Sequence, residues 1–281
     1  MIKSAEALAN RSEAMHTLDD LVNKRLWVTY AKLNPQAGAI HRLLEERGER
    51  VANDHIALRT FNDPRVGLDA LARPFLELGY QPRGEYSFTD KKLHARHFEL
   101  DKDVRAPKIF ISELELEKCS ESLRRITAGL IEQAPAEARA RWDFPALGRP
   151  WSVSFEEYES LRKESEYAAW LAAFGYMANH FTVLVNALRG FASLQALNDF
   201  LKQNGFALNT AGGEIKGSPE VYLEQSSTLA DKVEVNFSDG VHSIPCCYYE
   251  FARRYPMKDG KLYQGFVEKS ADKIFESTNK R

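Results

Sequence analysis

Three things are scarce in this chain: long apolar runs, cysteine and net charge. No stretch approaches the ~20 apolar residues needed to cross a bilayer. The opening MIKSAEALANRSEAMHTLDD lacks the apolar centre of a secretory signal, so a cytoplasmic location is expected. Cys119, Cys246 and Cys247 are odd in number and form no CxxC pair, which argues against a disulfide framework and for reduced, mostly buried thiols. A formal net charge of −2 leaves no global positive field to recruit nucleic acid or anionic lipid; a small molecule is the expected partner. Disorder is also excluded, because 281 residues with 44% hydrophobic content can bury one large core or two fused ones.

What is present is a pattern that occurs twice. Asn53 to Phe61 reads NDHIALRTF, and Ala178 to Asn186 reads ANHFTVLVN. At an offset of 125 residues (180 − 55), Asp54 falls on Asn179, His55 on His180, and Ile56 and Leu58 on Phe181 and Val183. Each run is followed by an amphipathic helical pattern, LDALARPFLELGY (68–80) and LQALNDFLKQNGF (194–206), ending in glycine and an aromatic residue. A strand, a helix and further strand-like runs make a βαβββ unit. It is present as a pair, since solenoid arrays repeat at far shorter periods.

The chain divides accordingly, and the fold class is α+β. Residues 1–50 read as helices that cover the sheet, with Leu18, Leu21, Val22, Leu26 and Val28, then Ile40, Leu43 and Leu44, at helical spacing; Asn34, Pro35 and Gly38 punctuate them. Residues 51–117 hold the first module, with strands at 55–61, 82–88, 93–100 and 107–116. Residues 118–177 are a helical insertion, in which Ser154 followed by Glu156 and Glu157 marks a helix start. The second module occupies 178–256, with strands near 218–227, 231–237 and 242–255 and a hairpin signal at Asp239-Gly240. The tail, 257–281, is charged and carries a last short helix.

Alternate residues of a strand share a face, so His55, Ala57, Arg59 and Phe61 point one way, and His180, Thr182, Leu184 and Asn186 point the corresponding way. Duplication makes the two histidines pseudo-symmetric neighbours. Glu250, in IPCCYYEFARRY, is the third donor, with Glu113 of IFISEL read as its counterpart in the first module. Two imidazoles and a carboxylate with open positions suit non-haem Fe(II), and the same set can hold Zn or Mn. The other histidines, His16, His41, His94, His97 and His242, read as hydrogen-bonded core or edge residues. Ser226 and Ser227 read as structural, and Lys216 and Arg254 as solvated. Arg59 has two readings: it neutralises Asp54 or a buried glutamate, or it awaits a ligand anion. With Asp54 assigned to the opposite strand face, the second is preferred.

DHIALRTF, PKIFISEL, NHFTVLVN and the strand ending at Glu250 together resemble the 2-oxoadipate dioxygenase/decarboxylase family of the vicinal oxygen chelate superfamily, over about residues 50 to 255. The resemblance implies two vicinal-oxygen-chelate modules in a curved, barrel-like mixed sheet. It implies Fe(II) on His55, His180 and Glu250, and Arg59 on a substrate carboxylate. The implied reaction turns 2-oxoadipate and dioxygen into 2-hydroxyglutarate and carbon dioxide. Glu113 is then expected to accept from an imidazole, with a fourth-ligand role as the alternative. Longer members carry a C-terminal extension that lines the substrate pocket. This chain has about thirty residues after Glu250, so residues 1–50 and 117–177 are expected to replace part of that wall. Two other readings share the fold: a glyoxalase-like isomerase or hydrolase with Zn or Ni and Glu113 as fourth ligand, and a metal-free small-molecule binder. A homodimer is compatible with all three.

Overall fold

The computed structural model describes residues 16–267; residues 1–15 of the expected helical cover and the expected last short helix lie outside them. Helix α1 (Leu18–Leu21) starts at a capping box between Thr17 and Asp20 and runs through a π-helical turn (Val22–Trp27) into α2 (Val28–Leu33). The wider turn rotates the buried stripe, so Leu21, Val22, Leu26 and Tyr30 face inward while Val28, expected inside, is exposed. Helix α3 (Pro35–Glu46) begins at the proline, which needs no N–H there, and carries Gly38 within it. Trp27 and Tyr30 pack on Phe181 and Tyr249, and the Tyr30 hydroxyl donates to the Tyr248 carbonyl at 2.6 Å.

The first module is β1 (Asn53–Phe61), α4 (Leu68–Glu77), β2 (Gln81–Phe88), β3 (Leu93–Glu99) and β4 (Lys108–Leu114). The insertion contributes α5 (Glu121–Gln133), α6 (Ala136–Arg139), α7 (Phe155–Glu164) and α8 (Glu166–Phe174). Ser154 and Glu157 form a capping box that starts α7, and Ser120 and Ser165 cap α5 and α8. The second module is β5 (Ala178–Leu184), α9 (Leu194–Gln203), β6 (Lys216–Ser218), β7 (Leu223–Ser227), a hairpin of β8 (Lys232–Phe237) and β9 (Gly240–Pro245), and β10 (Glu250–Arg254).

Eight strands form one curled half-barrel in the order β2-β3-β4-β1-β5-β10-β7-β6. The order is its own mirror about the β1–β5 seam. β4 lies parallel to β1 as β10 lies parallel to β5, and the outer strands are antiparallel in both halves. Three details differ from the sequence reading. The strand expected at 231–237 leaves the main sheet and pairs only with β9, and the strand expected at 242–255 breaks into β9 and β10 around the buried Cys246 to Tyr249. The single strand expected at 218–227 also divides, at a tight turn that puts Tyr222 at φ 63°. Lys92 (φ 56°) makes the equivalent turn between β2 and β3.

Candidate metal centre

The seam between β1 and β5 is irregular at two places. From Asn53 to His55 the partner on β5 moves only from Val183 to Thr182, which makes Asp54 an extra residue. From Ala57 to Leu58 the partner moves from His180 to Ala178, which makes Asn179 the extra residue of β5. A β-bulge re-aims the side chain of its extra residue. Asp54, assigned by alternation to the opposite face, therefore turns toward its neighbour: its Oδ1 lies 2.8 Å from His55 Nδ1. Asn179 Oδ1 lies 3.0 Å from His180 Nδ1. With each Nδ1–H donated to such an acceptor, both imidazoles present Nε2 to the interior.

The two rings stand 5.5 Å apart and nearly perpendicular, at 85°. Glu250 reaches them from β10, with Oε1 3.5 Å from His55 Nε2 and Oε2 3.4 Å from His180 Nε2. All three residues are at most 4% exposed, and one donor atom from each lies within 4.8 Å of the others. Glu250 Oε1 also accepts from Gln225 Nε2 at 2.6 Å, while the buried Oε2 makes no hydrogen bond. An unsatisfied buried carboxylate oxygen facing two imidazole nitrogens is costly without a cation between them. Burial pushes the Glu250 carboxyl up, with His55 and Gln225 opposing; burial also pushes His180 well below its ordinary value, helped by His55 and Arg59. The raised Glu250 carboxyl describes an anion short of a positive partner, the lowered His180 imidazole stays neutral with its ring nitrogen able to donate, and the set fits a divalent metal.

Arg59 lies four residues along β1 from His55, buried between the rings of Tyr167 and Trp170 at 4.9 and 5.0 Å. These rings come from α8, so the insertion does form a wall beside Arg59. A cavity of about 210 Å³ opens over it, bordered by Lys92, Leu93, Glu164, Glu166 and Tyr167. Tyr248 stacks on His180 at 4.8 Å, and its hydroxyl is buried without a hydrogen-bond partner. Burial pushes that phenol well above its usual range, and Glu250 and Arg59 act on it in opposite senses.

Other expected positions fall elsewhere. Glu113 starts α4, its Oε2 accepting the Leu68 N–H at 2.8 Å and its Oε1 lying 3.4 Å from His94 Nδ1. Strand pairing sets Glu250 opposite Thr182, two residues past His180; opposite Ala57, two past His55, stands Phe110. Phe110, not Glu113, is thus the counterpart of Glu250. Ser226 bonds Asn198 of α9 at 2.7 Å, and the Glu250 carboxylate accepts from Gln225 of β7. Lys216 and Arg254, expected in solvent, are both buried: Lys216 Nζ donates to the Asn209 carbonyl at 2.8 Å, and Arg254 holds Asp54 through Nε and Nη2 at 2.6 and 2.8 Å. Burial alone would raise the Asp54 carboxyl, but Arg254 and the His55 contact hold it well below the usual range. His16 stacks on Trp142, His242 stacks on Phe155, His41 meets Glu45, and His97 bonds Tyr86 and Glu99.

The half-barrel of paired βαβββ modules recurs in a Ralstonia eutropha JMP134 structure described as a glyoxalase-superfamily protein, which superposes at TM-score 0.72 with 20% identity, over 86% of this chain and 83% of that one. The chain itself belongs to the 2-oxoadipate dioxygenase/decarboxylase family, whose model matches residues 9–141 and 145–261. It is 36% identical over 275 residues to the chloroplastic 2-oxoadipate dioxygenase/decarboxylase of Arabidopsis thaliana, covering 89% of this chain and 74% of that protein. The hydroxyglutarate synthase of Oryza sativa, solved in complex with 2-oxoadipate, superposes at TM-score 0.84 with 35% identity, over 92% and 90% of the two chains. A Shewanella frigidimarina structure described as a hydrolase superposes at TM-score 0.86 with 52% identity, over 90% and 99%.

Proposed function

We propose that this protein is an Fe(II)-dependent dioxygenase/decarboxylase of a 2-oxo dicarboxylic acid, 2-oxoadipate or a close analogue, yielding a 2-hydroxy acid one carbon shorter and carbon dioxide. The observation that carries the reading is the convergence of His55 Nε2, His180 Nε2 and the unsatisfied Glu250 Oε2 in a buried cup, with both Nδ1 atoms already committed. Bound there, Fe(II) would supply open positions for a chelating 2-oxo acid and dioxygen, and the redox chemistry of oxidative decarboxylation. His55, His180 and Glu250 would hold it.

The remaining work belongs to the chain. Arg59 provides a planar fork for a substrate carboxylate, and the Tyr167 and Trp170 rings fix its orientation. Tyr248 offers a buried hydroxyl to a substrate oxygen. Gln225 holds Glu250 Oε1 and leaves Oε2 for the metal. Phe266 covers His55 edge-on at 4.8 Å and keeps water from that side. Three free cysteines fit a reducing compartment such as the cytoplasm. Among the described residues no helix is long and apolar enough to cross a membrane.

The test is oxygen uptake and carbon dioxide release by anaerobically reconstituted protein, comparing Fe(II), Mn(II) and Zn(II) across 2-oxo acids of increasing length. Iron-specific uptake with one carbon dioxide per dioxygen is expected. Tight Zn(II) binding with hydrolase or isomerase activity and no uptake would overturn the reading.

A further inference from the structure

We propose that Asp54 and Arg254 are positioning residues that make His55 a stronger metal donor than its pseudo-symmetric twin His180. The inference rests on the reading of His55, His180 and Glu250 as the metal site. Its starting point is an inequality between two otherwise matched bulges. Each bulge puts one side chain against the Nδ1 of the histidine that follows it, but Asp54 is an anion and Asn179 a neutral amide. A carboxylate draws the Nδ1 proton more strongly than an amide oxygen and raises electron density on Nε2, so the two imidazoles are unequal ligands.

The anion is held by Arg254, four residues beyond Glu250 on β10. Arg254 is 2% exposed and grips both carboxylate oxygens of Asp54. This pairing lets a buried Asp54 stay ionised, and it fixes the plane of the carboxylate against His55. Asn179 has no equivalent support, since its Nδ2 makes no hydrogen bond. Arg254 also donates from Nη1 to the carbonyls of Tyr263 and Gly265 at 3.0 and 2.8 Å, and its guanidinium lies 5.3 Å from the Phe266 ring. One side chain therefore orients a ligand from behind and holds the segment that covers the same ligand in front. None of these bonds reaches His180.

Two measurements test this. In the metal-free wild-type protein, nitrogen-15 correlated NMR of the histidine side chains should show both rings as Nδ1–H tautomers, with the His55 Nδ1 proton further downfield than that of His180. Equal shifts, or an Nε2–H tautomer at His55, would overturn the proposal whether or not any metal binds. In the second, Co(II) affinity is read by chelator competition and the Co(II) visible spectrum is recorded. Asp54→Asn, which makes both acceptors amides, should weaken binding by about 10- to 100-fold and shift the ligand-field bands. Asn179→Asp should not weaken it. Wild-type affinity and an unchanged spectrum in folded Asp54→Asn would contradict the proposal. If wild type binds no Co(II), the proposed function fails and the NMR comparison still decides this inference. Should Asp54→Asn not fold, Arg254→Lys, which keeps the charge but loses the two-point grip, is expected to show a smaller shift of the same sign; no shift would count against it.

Discussion

His55 and His180 stood out in the sequence because duplication doubles the signal: a histidine that recurs at the same place in two copies of a strand is hard to explain by packing alone, whereas Glu250, opposite Phe110 in the other copy, stood out through the family resemblance. Their neighbours did not. Strand alternation sends Asp54 away from His55, and only the extra residue in β1 brings it back, a feature that leaves no mark in a hydrophobic pattern. Arg254 read as solvated because periodicity carries no information about the segment that folds over the cup. Tyr248 was invisible for the same reason, lying in the irregular stretch between β9 and β10. Its buried, unpartnered hydroxyl leads to an expectation at this scale. Tyr248→Phe should leave metal affinity within about twofold of wild type and raise KM for the 2-oxo acid several-fold, since the lost donor serves the substrate and not the metal. A metal affinity that falls with unchanged KM would assign Tyr248 to packing on His180 instead.

Among the elements, the βαβββ units emerged from periodicity and the glycine-aromatic helix ends, and so did the Asp239-Gly240 hairpin. What periodicity missed was where a strand stops belonging to the main sheet: β8 has the composition of a core strand but pairs only with β9. The turns at Lys92 and Tyr222 were a further trace of the duplication, each placing a non-glycine residue at positive φ just before a leucine that opens the next strand. Lys92 also joins the insertion to the first module. Its Nζ donates to Glu164 Oε1 at 2.9 Å, and the same oxygen accepts the Ser120 N–H at 3.0 Å, tying α7, the start of α5 and the β2–β3 turn together beside the Arg59 cavity. Burial opposes ionisation of Glu164, but the Ser120 and Lys92 donors outweigh it and bring the carboxyl down from 4.5 to about 2. A depressed carboxyl stabilises the fold above the unfolded value of 4.5 and loses that contribution as pH falls toward 2. Glu164→Gln should therefore lower Tm by a few degrees near neutral pH, with the gap to wild type closing below pH 4.5. A gap of constant size down to pH 3 would show that the carboxylate charge is not what the contact uses.

For the whole molecule, the half-barrel is two copies of one module joined at the strands that carry the histidines, so the seam is both the fold's symmetry element and the place of its candidate metal site. The symmetry is broken at that site. Glu250 stands where the first copy has Phe110, and the freed half of the cup is filled by Phe266 against Phe110, Tyr86 and His97. Arg59, four residues beyond His55, has Leu184 as its counterpart beyond His180, so a guanidinium stands on one side of the cup and an apolar side chain on the other. The most direct test of this account is an anaerobic titration of Fe(II)-loaded protein with 2-oxoadipate, followed by visible absorption. Chelation of ferrous iron by a 2-oxo acid is expected to produce a charge-transfer band that saturates at one equivalent and is missing in Glu250→Ala. A colourless titration with iron demonstrably bound, or a band that persists without Glu250, would contradict it.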